Sequence, residues 1–187
     1  MKPNQLTETT GIPAATVRQS HTYDCGPAAL RSIATSYNVG PETEKEFIEA
    51  CHATPDKGTT PTELAQAASN IGLHATIVNN MTLYTLRRTL DKGQPVICAI
   101  QAWGDREKYS KLEDGHYVVA IAHDTRHIYF EDPSMIKTRG HLTHSEFQKR
   151  WHDRDAKGNL KTHLGIIITK DERGLQPKDL GDSKQIP

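Results

Sequence analysis

The spacing of apolar residues changes near Gly72, and this change constrains the fold more than any other feature of the sequence. Upstream of Gly72, apolar side chains recur at the i, i+4 spacing of buried helix faces. The predicted helices are 25–37, 42–52 and 60–71. Downstream, short apolar runs bounded by turn-forming residues indicate strands. The predicted strands are 74–78, 94–100, 116–122, 127–131 and 164–169, with short helices at 82–90 and 143–151. Helices followed by mostly antiparallel strands predict an α+β fold, in which a helical N-terminal half packs on a β-sheet C-terminal half with a cleft along the seam.

The length of 187 residues allows one domain with an ordinary hydrophobic core. We predict an N-terminal arm at 1–16, a single domain at 17–170 and a polar C-terminal tail at 171–187. The tail carries Gly and Pro among polar residues, so we expect it to be mobile.

The charge balance argues against a polyanionic partner. Lys and Arg together number 23, as do Asp and Glu, so the formal net charge is zero, whereas nucleic acids and anionic membranes favour proteins with a basic face. No apolar run approaches the ~20 residues that cross a bilayer, and the first residues lack the apolar segment of a signal peptide. We therefore expect a cytoplasmic protein that binds neither nucleic acid nor membrane. Secretion without an N-terminal signal stays open, as does the oligomeric state.

The three cysteines form neither a CxxC pair nor an even set, which argues against structural zinc and a disulfide scaffold. Cys51 lies on the apolar face of a predicted helix and Cys98 in an apolar strand, so we expect both in the core. His141 and His144 have HxxH spacing but lack a companion carboxylate motif. No metal and no cofactor are therefore predicted.

Cys25 lies at the start of a predicted helix and is followed by Gly26 and Pro27. Proline fits the first turn of a helix, because it lacks only an N–H that would have no partner there. A helix N-terminus offers unpaired N–H groups and a partial positive charge, which favour a thiolate over a thiol. Cys25 is therefore the candidate nucleophile. We expect Asp24 to accept hydrogen bonds from backbone N–H groups at the helix start.

A cysteine nucleophile needs a base, a group that orients the base, and donors for the developing oxyanion. His116 begins an apolar strand, and Asp132 follows the next strand along the chain. If these strands pair about the turn at 123–126, the two residues reach the same end of a hairpin, although a one-residue shift of register would separate them. His21, four residues before Cys25, is the alternative base.

These residues occur in an order that resembles the bacteriocin-processing, double-glycine peptidases and their stand-alone relatives among the papain-like cysteine peptidases. The matching motifs are Gln19-x5-Cys25, Asp24-Cys25-Gly26-Pro27-Ala28-Ala29-Leu30, Gly115-His116-Tyr117-Val118-Val119 and Asp132-Pro133. The resemblance spans about 17–169 and implies a papain-like fold. It implies Cys25 as the nucleophile, His116 as general base and acid, and Asp132 as the group that orients the imidazole. It also implies that the Gln19 side-chain amide and the Cys25 backbone N–H stabilise the oxyanion, and that the partner is a peptide or protein substrate.

Three functions are compatible with these residues. The first is a peptidase that hydrolyses peptide bonds through a Cys25 thioester. The second is an acyltransferase or deamidase that uses the same thiol chemistry, and the third is a peptide-binding module without activity. A complete set of Gln19, Cys25, His116 and Asp132 favours the peptidase. The substrate sequence, including whether double-glycine sites are cut, stays open.

Overall fold

A computed structural model describes residues 9–103, 109–112, 114–135, 137–154 and 158–187 of the chain. The helices in these ranges are α1 Cys25–Ser36, α2 Glu44–Ala50, α3 Pro61–Asn70, α4 Leu83–Asp91 and α5 His144–Arg150. The strands are β1 Thr10–Gly11, β2 His74–Val78, β3 Val96–Gln101, β4 Gly115–His123, β5 His127–Glu131, β6 Arg139–Thr143, β7 His152–Arg154, β8 Leu160–Thr162, β9 Gly165–Thr169, β10 Lys178–Asp179 and β11 Ser183–Gln185.

One seven-stranded sheet forms the centre of the described structure. Its strand order is β11-β6-β5-β4-β3-β9-β2, and each neighbouring pair is antiparallel except β11 and β6. Two small ribbons, β1 with β10 and β7 with β8, lie beside it. Helices from the first half precede the sheet strands, so the α+β prediction is confirmed. Within the described ranges, no helix combines the length and the apolar character needed to cross a membrane.

Local sequence signals determine where the helices of the first half begin. Thr43 and Thr60 each accept a hydrogen bond from the backbone N–H three residues later, and the side chains of Glu46 and Glu63 accept one from the threonine N–H. These capping boxes satisfy donors that a helix start would otherwise leave unpaired. α1 then packs against β4 and α3 against β2, which places the helix that starts with Cys25 on the centre of the sheet.

A β-bulge in β4 determines which residues of the β4–β5 hairpin face each other. Ala122 pairs with Tyr129, but the next paired residue, Ala120, faces Phe130, so Ile121 is an extra residue on β4. Such a bulge shifts the register of the two strands by one residue and increases their local twist. The far end of the hairpin is therefore not in the register that equal counting from the turn predicts.

Residues 171–187, which we expected to form a mobile tail, are packed along the domain. β10 pairs with β1, and β11 extends the main sheet beside β6. Leu180 and Ile186 are buried in the core. A Cβ on Gly140 would lie 2.6 Å from Cγ1 of Ile186, so the glycine makes room for this side chain. The sequence did not indicate this docking, because two isolated apolar residues form no periodic pattern.

The polar and charged sequence of 103–114 predicts an exposed loop between β3 and β4, and the part that the structure describes differs from this prediction. Trp103 is half-exposed, but Tyr109 is buried and its hydroxyl donates to Glu146 at 2.8 Å. The predicted exposed loop is therefore wrong for Tyr109, and the expectations for 104–108 and for residue 113 lie outside the described residues.

Replacement of the buried anchor of the C-terminal segment tests its docking. We expect Ile186→Ala to lower the free energy of unfolding by about 2–4 kcal/mol, because a large buried aliphatic side chain is removed from a packed site. Urea denaturation measures the change. The matched control is Lys184→Ala, two residues earlier, in β11, and exposed, which should leave the midpoint nearly unchanged. Equal midpoints for wild type and Ile186→Ala would show that the segment is not held by this side chain.

Candidate active site

Cys25 is the first residue of α1 and lies at the wall of a cleft of about 480 Å³. Its side chain is largely buried, with 8% of the residue exposed. A Cβ on Gly26 would collide with the Thr59 side chain, so the glycine lets the helix start pack against Thr59, which follows the 54–58 turn. The thiol is thus at a helix N-terminus and accessible from the cleft, as the sequence predicts.

Asp24 precedes the helix but does not cap it. Its side chain makes no capping hydrogen bond to α1. The buried carboxylate instead accepts the N–H groups of Ser20 at 3.3 Å and His21 at 3.2 Å, and it lies 3.1 Å from His21 Nδ1. The predicted helix-start role is therefore wrong: Asp24 fixes the loop before the helix. His21 is paired with Asp24.

His116 and Asp132 are brought together by the β4–β5 hairpin. His116 Nε2 lies 2.7 Å from Asp132 Oδ1, and both side chains are almost completely buried. Burial disfavours the imidazolium, but hydrogen bonds to Asp132 and to Cys25 raise the pKa of His116 to about 10. Burial would raise the pKa of Asp132, but the hydrogen bond and charge of His116 lower it below its usual value. The imidazole therefore interacts with both the carboxylate and the thiol and is favoured in its charged form.

Gln19 lies on the loop that Asp24 holds. Its backbone N–H donates to Pro133 O at 3.1 Å, next to Asp132, and its side-chain Nε2 donates to His21 O at 2.7 Å. An amide NH₂ has two N–H donors, and this contact uses one of them. Gln19 Oε1 is buried and has no hydrogen-bond partner among the described residues. The Gln19 side chain is thus held in place, and one N–H of its amide is not used by this contact.

The remaining cysteines are structural. Cys51 and Cys98 are fully buried. Burial raises the pKa of the Cys51 thiol to about 12 and also raises the pKa of Cys98, which makes both thiols poor nucleophiles. In the ranges that the structure describes, no group of three or more His, Cys, Asp or Glu side chains is arranged to hold a metal ion.

The sequence of this region matches a known family over most of its length. A sequence model described as the Peptidase C39 family matches residues 14–154, which include Gln19, Cys25, His116 and Asp132. The chain belongs to the peptidase C39 family. The members of this family are cysteine peptidases of the papain-like type, which agrees with the resemblance seen in the motifs.

Similar proteins and structures agree with this assignment. An uncharacterized protein of Methanothermobacter marburgensis is 32% identical over 123 residues, which cover 66% of this chain and 74% of that protein. The peptidase domain of Streptococcus ComA, a bi-functional ABC transporter, superposes with a TM-score of 0.63 at 24% identity, covering 83% of this chain and 97% of that domain. A double glycine motif protease from an AMS/PCAT transporter, solved in complex with the leader peptide, superposes with a TM-score of 0.61 at 19% identity. The match covers 85% of this chain and 93% of that protease. These two structures share the fold.

Two residues that contact the candidate catalytic side chains were not predicted from the sequence. Ser134 donates to Asp132 Oδ1 from its backbone N at 2.8 Å and from Oγ at 2.7 Å. The Asp-Pro-Ser order is a turn signal that indicates such a contact. The Trp103 ring lies over His116, with centroids 5.0 Å apart, and nothing in the sequence around Trp103 indicates this contact.

A buried ionic cluster, formed by Arg18, Glu131 and Arg139, stands directly behind the site. Glu131 is 2% exposed, and its Oε1 lies 2.6 Å from Arg139 Nε while Oε2 lies 3.8 Å from Arg18 Nη1. Arg18 also donates to Asp132 O at 3.3 Å. Because Arg18 precedes Gln19 and Glu131 precedes Asp132 in the chain, this cluster joins the two segments that carry candidate site residues.

The pH dependence of stability tests the His116–Asp132 pair. Because folding raises the pKa of His116, the stability from this pair is complete below pH 6.5 and is lost as the pH rises through about 10. Folding lowers the pKa of Asp132, so its contribution is present above the usual carboxyl value and is lost as the pH falls. We expect the difference in free energy of unfolding between wild type and Asp132→Asn to shrink steadily between pH 6.5 and pH 10.5.

Urea denaturation at several pH values measures this difference. Asp91→Asn is the control, because Asp91 makes a 2.9 Å pair with His123 that is half-exposed on the Asp91 side, and exposed pairs contribute little. A difference for Asp132→Asn that stayed constant across this range would contradict a charged His116 in the folded protein.

Proposed function

We propose that this C39 protein is a cysteine peptidase that hydrolyses peptide bonds through a Cys25 thioester. The observation that carries the proposal is the position of His116, which hydrogen-bonds Asp132 through Nε2 and also interacts with Cys25. Since Nε2 is committed to the carboxylate, Nδ1 is the nitrogen available to the thiol. A thiolate paired with an imidazolium is the reactive form of a cysteine nucleophile.

In the proposed first step, the Cys25 thiolate attacks the carbonyl carbon of the scissile peptide bond. The developing oxyanion receives hydrogen bonds from the Cys25 backbone N–H and from the second N–H of the Gln19 amide. His116 then donates its Nδ1 proton to the leaving amine, the C–N bond breaks, and a thioester remains. Asp132 holds the imidazole in its orientation throughout and stabilises its positive charge.

In the second step, water attacks the thioester carbonyl. His116 takes a proton from the water as its oxygen bonds to the carbon, and the C–S bond then breaks to release the carboxylic acid. The departing thiolate and the protonated imidazole restore the starting pair. The same thioester would give an amide if an amine replaced water, which is the transferase alternative.

Mutation of the site residues tests this function. The substrate is a pool of internally quenched peptides that includes members with a Gly-Gly pair before the scissile bond, because one similar structure is a double glycine motif protease. We expect Cys25→Ala and His116→Ala to abolish cleavage. Gln19→Ala should retain a residue of activity, with kcat/KM lower by about 10²–10³-fold, the usual loss for one oxyanion donor.

Cys51→Ala is the matched control, because it removes a buried thiol outside the cleft and should leave kcat/KM within a few-fold of wild type, provided that circular dichroism shows the same fold. Cleavage by Cys25→Ala at the wild-type rate would refute the proposal. Addition of a competing amine distinguishes hydrolysis from acyl transfer, since an amide product that replaced the acid at low amine concentration would favour a transferase.

A further inference from the structure

A carboxylate outside the proposed catalytic set lines the same cleft as Cys25. Asp153, in β7, lines the same cleft as Cys25 and Gly115. A Cβ on Gly115 would lie 2.5 Å and 2.6 Å from the two Asp153 carboxylate oxygens. Only glycine therefore allows this carboxylate to lie against the backbone of the residue that precedes His116.

A buried amide holds the Asp153 carboxylate in this position. Gln101 is fully buried at the end of β3, and its Nε2 donates to Asp153 Oδ1 and to His152 O, each at 3.1 Å. Its Oε1 accepts the N–H of Asp114 at 3.3 Å. Both donors of the Gln101 amide are thus used, and the side chain has one defined orientation. The carboxylate is thus positioned by a side chain of the central sheet.

The charge of Asp153 has no close counter-ion in the described part of the chain. No Lys, Arg or His nitrogen of those residues lies within 4.0 Å of its oxygens. Arg154 and Lys161 line the cleft on the same hairpin, but neither pairs with Asp153 at this distance. Burial raises the pKa of Asp153, and the Arg154 N–H, the Gln101 amide and the charges of His152 and His116 oppose that rise. A partly buried carboxylate that lines a cleft and forms no direct ion pair is a favourable place for a charged ligand group.

We propose that Asp153 binds the ammonium or guanidinium group of a Lys or Arg side chain of the peptide substrate, close to the scissile bond. This inference rests on the proposed peptidase function for the choice of a peptide as the ligand. The substrate then lies along the cleft with its carbonyl at Cys25 and one basic side chain directed to the wall formed by Gly115 and Asp153. The cleft volume of about 480 Å³ falls in the range of ligand sites.

Binding to an inactive protein tests the proposal without requiring turnover. The probes are N-acetylated, C-amidated fluorescent peptides in which one position at a time carries Lys or Arg, or the uncharged norleucine or citrulline in the same place. The basic side chain is then the only positively charged group of the peptide. We expect Cys25→Ala protein to bind the basic peptides about tenfold more tightly than their neutral counterparts at one position, measured by fluorescence anisotropy.

Two further substitutions in the Cys25→Ala protein identify the group that binds the cation. Asp153→Asn should remove the preference, because asparagine keeps the Oδ1 acceptor for Gln101 and removes the charge. Asp56→Asn is the matched control: Asp56 lines the same cleft on the side of the 54–58 turn, and its replacement should leave the preference intact. The inference is overturned if no position prefers a basic residue, or if the preference survives Asp153→Asn.

Cleavage by the unmodified protein separates the two proposals. If peptides are cut without preference for Lys or Arg, the peptidase function stands and the role of Asp153 is wrong. If basic peptides bind through Asp153 but are not cut, the binding site stands and the peptidase function is wrong. Peptides that are neither bound nor cut would contradict both.

Discussion

The register between β4 and β5 is the constraint on which the whole site depends. Residues of a strand alternate between its two faces, so one residue of shift decides which side chains can meet. Beyond the bulge at Ile121, Val119 pairs with Glu131, and the same register carried one residue further directs Asp132 to the face of β4 that carries His116. In the register found near the turn, Asp132 would lie on the opposite face. The inserted residue thus makes the 2.7 Å contact of Asp132 with His116 possible.

The Arg18–Glu131–Arg139 cluster couples this hairpin to the segment that leads into α1. A buried carboxylate needs cations close by, because desolvation disfavours its charge. Burial raises the pKa of Glu131, and the charges of Arg139 and Arg18 oppose that rise. The carboxylate and the two arginines that surround it come from three separate segments of the chain. Gln19 and Asp132 each follow one of these residues in the chain. The ion pairs of one buried carboxylate therefore also hold together the two segments that carry the proposed oxyanion donor and the proposed orienting carboxylate.

Much of the fold was predictable because its signals are local. The start of α3 is marked by Thr60 and Glu63, and the position of Cys25 before Pro27 marks the start of α1; both predictions agree with the structure. The chemistry of the site was indicated by the kinds of residue present and by their order. The docking of Ile186 was not predictable, because its burial depends on space left by a distant residue and has no local pattern.

The contacts of the site that join distant segments could not be predicted from the sequence either. The pairing of His116 with Asp132 could be stated only as a condition on register, and the bulge that satisfies this condition has no clear signal in a run of small apolar residues. The same is true of the Trp103 ring over His116 and of the Gln101 amide behind Asp153, since both join segments far apart in the chain. Propensity identifies the elements of this fold, whereas tertiary packing determines how they meet.

Two polar atoms of the candidate site are left without a hydrogen-bond partner in the part of the chain that the structure describes. Gln19 Oε1 and Asp132 Oδ2 are buried without a hydrogen-bond partner in the described ranges, and each such atom costs about 1–3 kcal/mol. A site arranged for stability alone would pair these atoms or replace them with apolar groups. Their presence around a charged His116 is expected if the surroundings are arranged for groups that arrive with a substrate. The continuous core beneath, from α1 through β3 and β4, supplies the stability that permits this arrangement.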